Sequence, residues 1–535
     1  MPSIIIDGRT IQCREGIPVL RAALEAGMDI PHYCYHPGLS IVASCRLCLM
    51  EMKAPDPKTR EPVWSPKLIP SCQTPVKDGM EVRFNSEGVW NNQQHVMEYY
   101  LLNHPLDCPV CDKAGECHLQ DYTEDYGPAT SRMVEEKHKN PKKDIGPNTL
   151  LYADRCVMCT RCVRFTREVS GDAQLAVVDR GNRAEIDVFP GEPLDNPLQG
   201  NVVDLCPVGA LLDKGFLFKQ RVWELRSRDS VCPGCARGCT THIDYSETSG
   251  QIKRIRPRFN EKVNHWWMCD EGRFGWTHVH NRQRLSQPRL RDPGAERQLR
   301  WEELPALLTQ RFGAAAKADR GTGTAVVLSP HLACEEAWLL AKFMRKIAPQ
   351  ATLVGGYLPV TGQDQKFPAG FVILSEKAPN RRGIERIITA AGGPQMRWDE
   401  FISAAGAGRF SAAYVTGGYP ASWVSASAAA ALARVGLLVM HDLFTSALTD
   451  AAAIVLPAST WAEREGCFVN VDGLVQAFER AIPPLEGVKT EGQFFAELAG
   501  ESGLYRARKI REKMSAQLAE FGSPFVPAKE PAHAH

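Results

Sequence analysis

The chain has 535 residues, and its 63 basic and 62 acidic side chains leave a formal net charge of +1. Single cores stop growing well below that length, so three to five domains are expected. The near-zero balance argues against nucleic acid as the main ligand.

The first residues, Met1 to Gly8, carry neither a basic stretch nor a long apolar one, so no secretory signal is expected. The most apolar long stretch, Ala426 to Met440, is broken by Arg434 and is too short to span a bilayer. The expectation is a soluble, cytoplasmic chain that meets a membrane only through partners.

Taken in chain order, the opening reads as a small β-rich unit. Ile4 to Ile6 and Thr10 to Cys13 flank Asp7-Gly8, a two-residue hairpin signal. A helix follows from Pro18 to Ala26 and stops at Gly27. Strand, hairpin, helix and then a cysteine loop is the order of a β-grasp ferredoxin. A second helix is predicted from Ser86, as N-cap, to Leu102. The basic stretch Glu135 to Pro147 reads as a linker or solvated loop, and the Pro/Arg-rich segment Arg282 to Arg300 as a boundary. Beyond it, strands (Thr324 to Leu328, Thr352 to Val354, Ala412 to Val415, Leu437 to Met440) alternate with helices (Glu335 to Ile347, Ala426 to Arg434). That alternation predicts an α/β layered domain with a largely parallel sheet. The tail Pro527 to His535, with His533 and His535, reads as disordered.

Fifteen of the 18 cysteines fall into four sets at metal-ligand spacing. Pairs of the C-x2-C type are redox or metal motifs rather than structural disulfides, and thiolates this dense serve metal. The first set, Cys34, Cys45, Cys48 and Cys72, shares the C-x2-C pair and distant fourth cysteine of [2Fe–2S] ferredoxins, with x10 in place of the plant x4. A zinc ribbon is the alternative. The second set has only Cys108, Cys111 and Cys117, and a four-iron cube needs one more ligand. His104, four residues before Cys108, is the candidate; His118 and His95 compete with it. An imidazole in place of a thiolate raises a cluster potential. The third set, Cys156, Cys159, Cys162 and the distant Cys206 before Pro207, is a bacterial-ferredoxin run with a single cage, expected to hold [4Fe–4S]. The fourth, Cys232, Cys235, Cys239 and Cys269, suits a [4Fe–4S] cube, and zinc sites use similar pairs. Cys13, Cys334 and Cys467 lack partners at ligand spacing and read as small buried side chains.

The order of these cages resembles the largest iron–sulfur subunit of the peripheral arm of bacterial NADH-quinone oxidoreductase (respiratory complex I). The likeness rests on Cys34 to Cys72, on the string His104-Pro-Leu-Asp-Cys-Pro-Val-Cys-Asp-Lys-Ala-Gly-Glu-Cys117, and on Cys156-Val-Met-Cys-Thr-Arg-Cys162. The second half is similar to the molybdopterin oxidoreductase superfamily through Arg284-Leu-Ser-Gln-Pro288, Trp301-Glu-Glu303 and Asp450 to Gly466. The departures there are the lack of any thiol between the helix ending in Lys342-Phe-Met-Arg345 and Cys467, and Glu271 where those enzymes tend to have Lys. Gly321-Thr-Gly323 precedes its strand and so is not a phosphate-cradling loop.

The resemblance implies a multidomain α+β and α/β chain. Its first expected domains are a β-grasp [2Fe–2S] ferredoxin domain (1–78) and a [4Fe–4S] domain with one histidine and three cysteine ligands (79–138). A [4Fe–4S] ferredoxin-like domain (139–225) and a four-cysteine [4Fe–4S] domain (226–281) follow. A degenerate molybdopterin-oxidoreductase-like α/β domain (282–535), without molybdenum cofactor, completes them. The resemblance further implies an electron wire without a catalytic site of its own. The wire would take electrons from a flavin/NADH-binding subunit and pass them toward quinone through further iron–sulfur subunits, on the cytoplasmic side of the inner membrane. The main path would run through the first, third and second sets in that order, with the fourth as a side station. The alternatives are a subunit of a molybdenum formate dehydrogenase or of an NAD-linked hydrogenase, and a zinc scaffold.

Overall fold

The computed structural model describes residues 1–56, 58–292, 295–317 and 319–528. It divides into two compact units, Met1–Leu225 with Phe367–Phe371, and Arg226–Lys366 with Val372–Pro527.

In the first unit the opening hairpin forms as its turn residues dictate. Ser3–Ile6 pairs antiparallel with Arg9–Gln12 across Asp7 and Gly8, both at positive φ (48° and 80°). Ser3–Ile6 also pairs in parallel with Glu81–Arg83, inside a six-stranded sheet that includes Leu49–Pro55, Pro62–Trp64 and Ile69–Pro70. Helix Val19–Glu25 buries Val19, Leu20, Ala23 and Leu24 against Ile4, Ile6, Met50 and Val82, and Cys48 and Cys72 belong to that same core. This is the β-grasp arrangement, with two candidate ligands built into its hydrophobic centre. Helix Glu87–Leu101 is capped by Ser86, whose hydroxyl accepts from the Val89 N–H.

The stretch expected to be a linker is partly a strand. Lys142–Asp144 pairs antiparallel with Thr149–Tyr152, which in turn pairs with Leu211–Asp213. The reason is charge pairing: Lys143 Nζ lies 2.8 Å from Glu185 and 2.6 Å from Asp187, so this lysine holds the edge instead of solvating it.

The second unit is built on an eight-stranded sheet. Its order is Ala295–Gln298, Arg289–Asp292, Ile454–Pro457, Leu437–Asp442, Ala412–Thr416, Thr324–Leu328, Thr352–Gly355 and Gln395–Met396. The six strands from Ile454–Pro457 onward run parallel, and the hairpin Arg289–Asp292/Ala295–Gln298 adds antiparallel at one edge. Part of the segment read as a boundary is therefore an edge of this sheet. Strand Thr324–Leu328 is buried along its whole length, as expected with apolar packing on both faces. Val326 and Leu328 pack into one cluster with helices Leu304–Ala316, Cys334–Ile347 and Glu491–Ala499. Ala325 and Val327 pack into the other with Phe401, Ala405 and Leu432. A smaller antiparallel sheet, Leu225–Val231, Thr240–Ser246 and Gln251–Pro257, carries the fourth cysteine set. Residues 529–535, with most of the predicted disordered tail, lie outside the described residues. No described helix is long and apolar enough to cross a membrane.

Candidate metal centres

The first set is two pairs of thiols. Cys34 and Cys45 stand with sulfurs 3.5 Å apart, and Cys48 is hydrogen-bonded to Cys72. None is more than 3 % exposed. The hydrogen bond from Cys45 pulls Cys34 down to about 5, while sharing that proton, and then burial, push Cys45 up. Ala43 and Arg46 take left-handed conformations (φ 51° and 58°), which lets the ten-residue loop after Cys34 turn back toward Cys45 and Cys48. Two close thiol pairs are the donor set that two irons, each with two thiolates, require.

In the second set Cys111 and Cys117 are buried and Cys108 is exposed. Burial drives Cys117 up to about 11. His104 is half-buried, and burial, with Arg155 and Lys137 nearby, lowers its imidazole to about 4. It is therefore neutral near pH 7, the form that donates a lone pair to a metal. Of the competitors, His118 starts helix His118–Tyr126 and donates its backbone N–H to Pro207 (3.0 Å), and His95 is exposed on helix Glu87–Leu101.

The third set surrounds a hollow. Cys156, Cys159, Cys162 and Cys206 line a small cavity of about 20 Å³ whose other walls include Leu151, Val157, Ile186, Val208 and Leu211. Met158 and Thr160 are left-handed (φ 48° and 59°), so the backbone winds tightly around the space. Burial raises Cys156 and Cys162, and Cys159 to about 11. Apolar walls that disfavour a free thiolate suit a metal that removes the proton outright. Among the described residues no three His, Cys, Asp or Glu side chains converge as tightly as a single ion needs. The third-set sulfurs stand around a space instead.

The fourth set closes similarly. The Cys232 N–H donates to the Cys239 carbonyl (2.8 Å) and the Gly234 N–H to the Cys232 sulfur (3.4 Å). A Cβ on Gly272 would stand 2.8 Å from the Cys232 sulfur, so only glycine fits there. Glu271, where the superfamily tends to have lysine, pairs with Lys377 at 2.5 Å, so a lysine from elsewhere in the chain reaches that position.

The loops of the first three sets touch one another. Arg161 and Arg164, beside Cys162, donate to the carbonyls of Tyr35 and Cys34 in the first loop. Gly209, just past Cys206, lies so close to the second set that a Cβ there would stand 2.3 Å from the Cys111 sulfur. Arg155, beside Cys156, binds Asp107 beside Cys108 (2.6 Å). The third set is thus the neighbour of both others.

In the second unit a cavity of about 410 Å³ lies beside Cys232, walled by Tyr357, Tyr419, Trp423 and Trp461. Its cations are already paired: Lys377 with Glu271, Arg464 with Glu336 (3.0 Å) and Glu491 (3.3 Å). Cys232, a candidate cluster ligand, is its only lining thiol. These residues do not fit a phosphate-bearing pterin dinucleotide.

The sequence named fifteen cysteines and His104 as candidate ligands but not Arg155, Arg161, Arg164, Gly209 or Lys377 as their neighbours. The available signal was that Arg161 lies inside the third run and Arg164 two residues past it. Cys334 and Cys467, read as partnerless, are brought together: the Cys467 thiol is raised by burial and by a hydrogen bond with Cys334. Cys13 is buried, as expected.

Five family models match the chain: a 2Fe-2S iron-sulfur cluster binding domain (residues 2–87), an NADH-ubiquinone oxidoreductase-G iron-sulfur binding region (93–132), the ferredoxin-like domain of NADH-quinone oxidoreductase subunit 3 (146–212), a molybdopterin oxidoreductase Fe4S4 domain (225–281) and molybdopterin oxidoreductase (391–501). Among curated relatives, the G subunit of NADH-quinone oxidoreductase from Rickettsia bellii is 37% identical over 347 residues, 65% of this chain and 48% of that protein. The NADH-ubiquinone oxidoreductase 75 kDa subunit of Reclinomonas americana is 40% identical over 303 residues, 57% of this chain and 42% of that protein. The match therefore spans less than half the length of either relative.

Proposed function

We propose that this homologue of the NADH-quinone oxidoreductase G and 75 kDa subunits is an electron wire. It would take electrons from a flavin-bearing, NADH-binding subunit and deliver them to further iron–sulfur subunits of a peripheral arm, toward quinone, on the cytoplasmic side of the membrane. Cys34, Cys45, Cys48 and Cys72 would hold a [2Fe–2S] cluster. His104 with Cys108, Cys111 and Cys117, then Cys156, Cys159, Cys162 and Cys206, and finally Cys232, Cys235, Cys239 and Cys269, would each hold [4Fe–4S]. When bound, such clusters accept and release single electrons with no bond made or broken at the protein.

The carrying observation is the chain of contacts first set, third set, second set, which is the order a stepwise path needs. The exposed end of that chain supports a handover there. Cys108 is exposed, and Leu106 and Val110 on the same loop, Phe218 bonded to Asp112, and Trp223 packed beside Gly115 stand exposed around it. The residues around each cage exclude water and set the potential through burial and hydrogen bonds. No molybdenum is expected.

The test is metal and sulfide analysis of the anaerobically purified holoprotein. About 14 iron atoms per chain are expected, one two-iron and three four-iron centres. Zinc in place of iron, or molybdenum near one per chain, would overturn the reading.

A further inference from the structure

Arg161 and Arg164 are the two largest side chains that the fold buries completely, at 0 % and 1 % exposure. A guanidinium cannot shed its proton, and a charge taken out of water needs an opposite charge or a metal-bound anion. Among the described residues neither has a carboxylate within ion-pair distance. Glu168 feels Arg164 from farther off, but its carboxylate accepts from the Ser40 N–H (2.9 Å) and hydroxyl (2.6 Å) instead.

What the two arginines do touch is specific. Arg164 donates to the Cys34 carbonyl in the first set, to the Cys159 carbonyl in the third (3.2 Å), and to the Ser40 carbonyl. Arg161 donates to the Tyr35 carbonyl, next to Cys34, and to the Leu205 carbonyl (3.4 Å), next to Cys206. Each fork therefore spans a ligand loop of one set and a ligand loop of the other. The Nε–H of each is buried without an acceptor, so the hydrogen bonds leave both cations under-satisfied. The missing counter-charge is the excess negative charge that thiolate-ligated clusters would carry on either side.

We infer that Arg161 and Arg164 form a cationic bridge that ties the first and third ligand loops together and draws the potentials of both centres upward in concert. The inference rests on the proposed occupancy of those two sets. Adding an electron makes each centre more negative, and a fixed cation between them stabilises that form on both sides. An electron passing from a centre in the first set to one in the third would leave both guanidiniums protonated. They act as positioning residues, through carbonyls and field rather than as ligands.

The experiment is a potentiometric titration of the full-length anaerobic holoprotein, read by EPR, for Arg164→Gln, Arg161→Gln and Arg164→Lys, with iron content measured on each. Arg300→Gln, a surface change, is the control. Both glutamine variants should shift the first- and third-set midpoints to lower potential together, leaving the fourth-set midpoint where it was. Arg164→Lys, which keeps the charge, should restore most of the shift. Unmoved midpoints in an iron-replete glutamine variant overturn the inference, as does movement of only one of the two. Loss of iron in both glutamine variants with retention in Arg164→Lys supports a charge requirement. Loss in all three assigns the arginines to packing alone and overturns the bridge. A wild-type chain without iron in the first or third set would instead refute the occupancy itself, and is told apart by that measurement.

Discussion

In the second unit Arg284 and Arg464 are buried, and Arg511 half-buried, against carboxylates: Glu463 for the first, Glu336 and Glu491 for the second, Glu335 for the third. In the first unit Arg161 and Arg164 are buried as deeply and meet only carbonyls. The second unit also has central strands covered by apolar side chains on both faces, whereas the first has a core that includes candidate ligands themselves. The difference teaches which core is complete as polypeptide. Around its eight-stranded sheet the second unit pairs buried arginines with carboxylates and packs apolar side chains on both faces. The first is a frame whose charges and hollows are balanced by what its cysteines hold.

Removing iron should separate the two units most sharply. Metal binding in such frames is folding free energy, on the order of 10 kcal/mol for a structural site. Chelation under anaerobic conditions should erase amide protection around Thr149–Tyr152 and Leu211–Asp213, while Ala412–Thr416 and Leu437–Asp442 stay protected. Hydrogen exchange would show it, and simultaneous loss in both units would break the comparison.

The converse change is Arg284→Ala. It strands Glu463, whose two oxygens accept from Arg284 at 2.8 and 2.7 Å in a site under 4 % exposed. A loss of about 3–5 kcal/mol is expected for breaking one side of a buried pair. Denaturant unfolding should place it in the second unit, with iron content in the first three sets unchanged.

Asp442 supplies a pH handle confined to the second unit. Burial pushes its carboxyl up to about 6, against hydrogen bonds from the Gly418 and Leu443 N–H groups and the Trp423 indole that pull the other way. The folded state therefore holds this proton more tightly than the unfolded one. Its stabilisation is complete below about pH 4 and is lost as pH rises through 6, by at most about 3 kcal/mol. Asp442→Asn should flatten the stability profile in that window, measured by unfolding at fixed temperature. A slope that persists assigns the dependence to another group.

The smallest effect belongs to Ser86→Ala. It removes the hydroxyl that accepts from the Val89 N–H, for a loss of about 1 kcal/mol in the helix leading to the second set. Faster exchange limited to the first turn of Glu87–Leu101 is the expected readout.

Much of the fold was legible because local rules dominated it. Asp7-Gly8 demanded a tight hairpin, Ser86 a helix start, and the apolar runs at 324–328 and 412–415 doubly covered parallel strands. Lys142 to Asp144 misled because a lysine-rich stretch normally solvates, and its glutamate and aspartate partners lie more than forty residues away. Arg289 to Gln298 misled because prolines and charges mark edges as well as linkers. The strings at Arg284 and Glu463 were visible as a likeness only. Their physical meaning, one buried ion pair joining segments 179 residues apart, is a long-range fact.

The sequence by itself determined the donor chemistry, because thiol spacing in tight loops is a covalent property of the chain and survives without any knowledge of packing. Which set neighbours which, that Arg161 and Arg164 stand uncompensated between two of them, and that Lys377 meets Glu271 were decided only by the tertiary structure. Charge and distance act through space, and residues far apart in sequence become partners only when the fold has closed the gap between them.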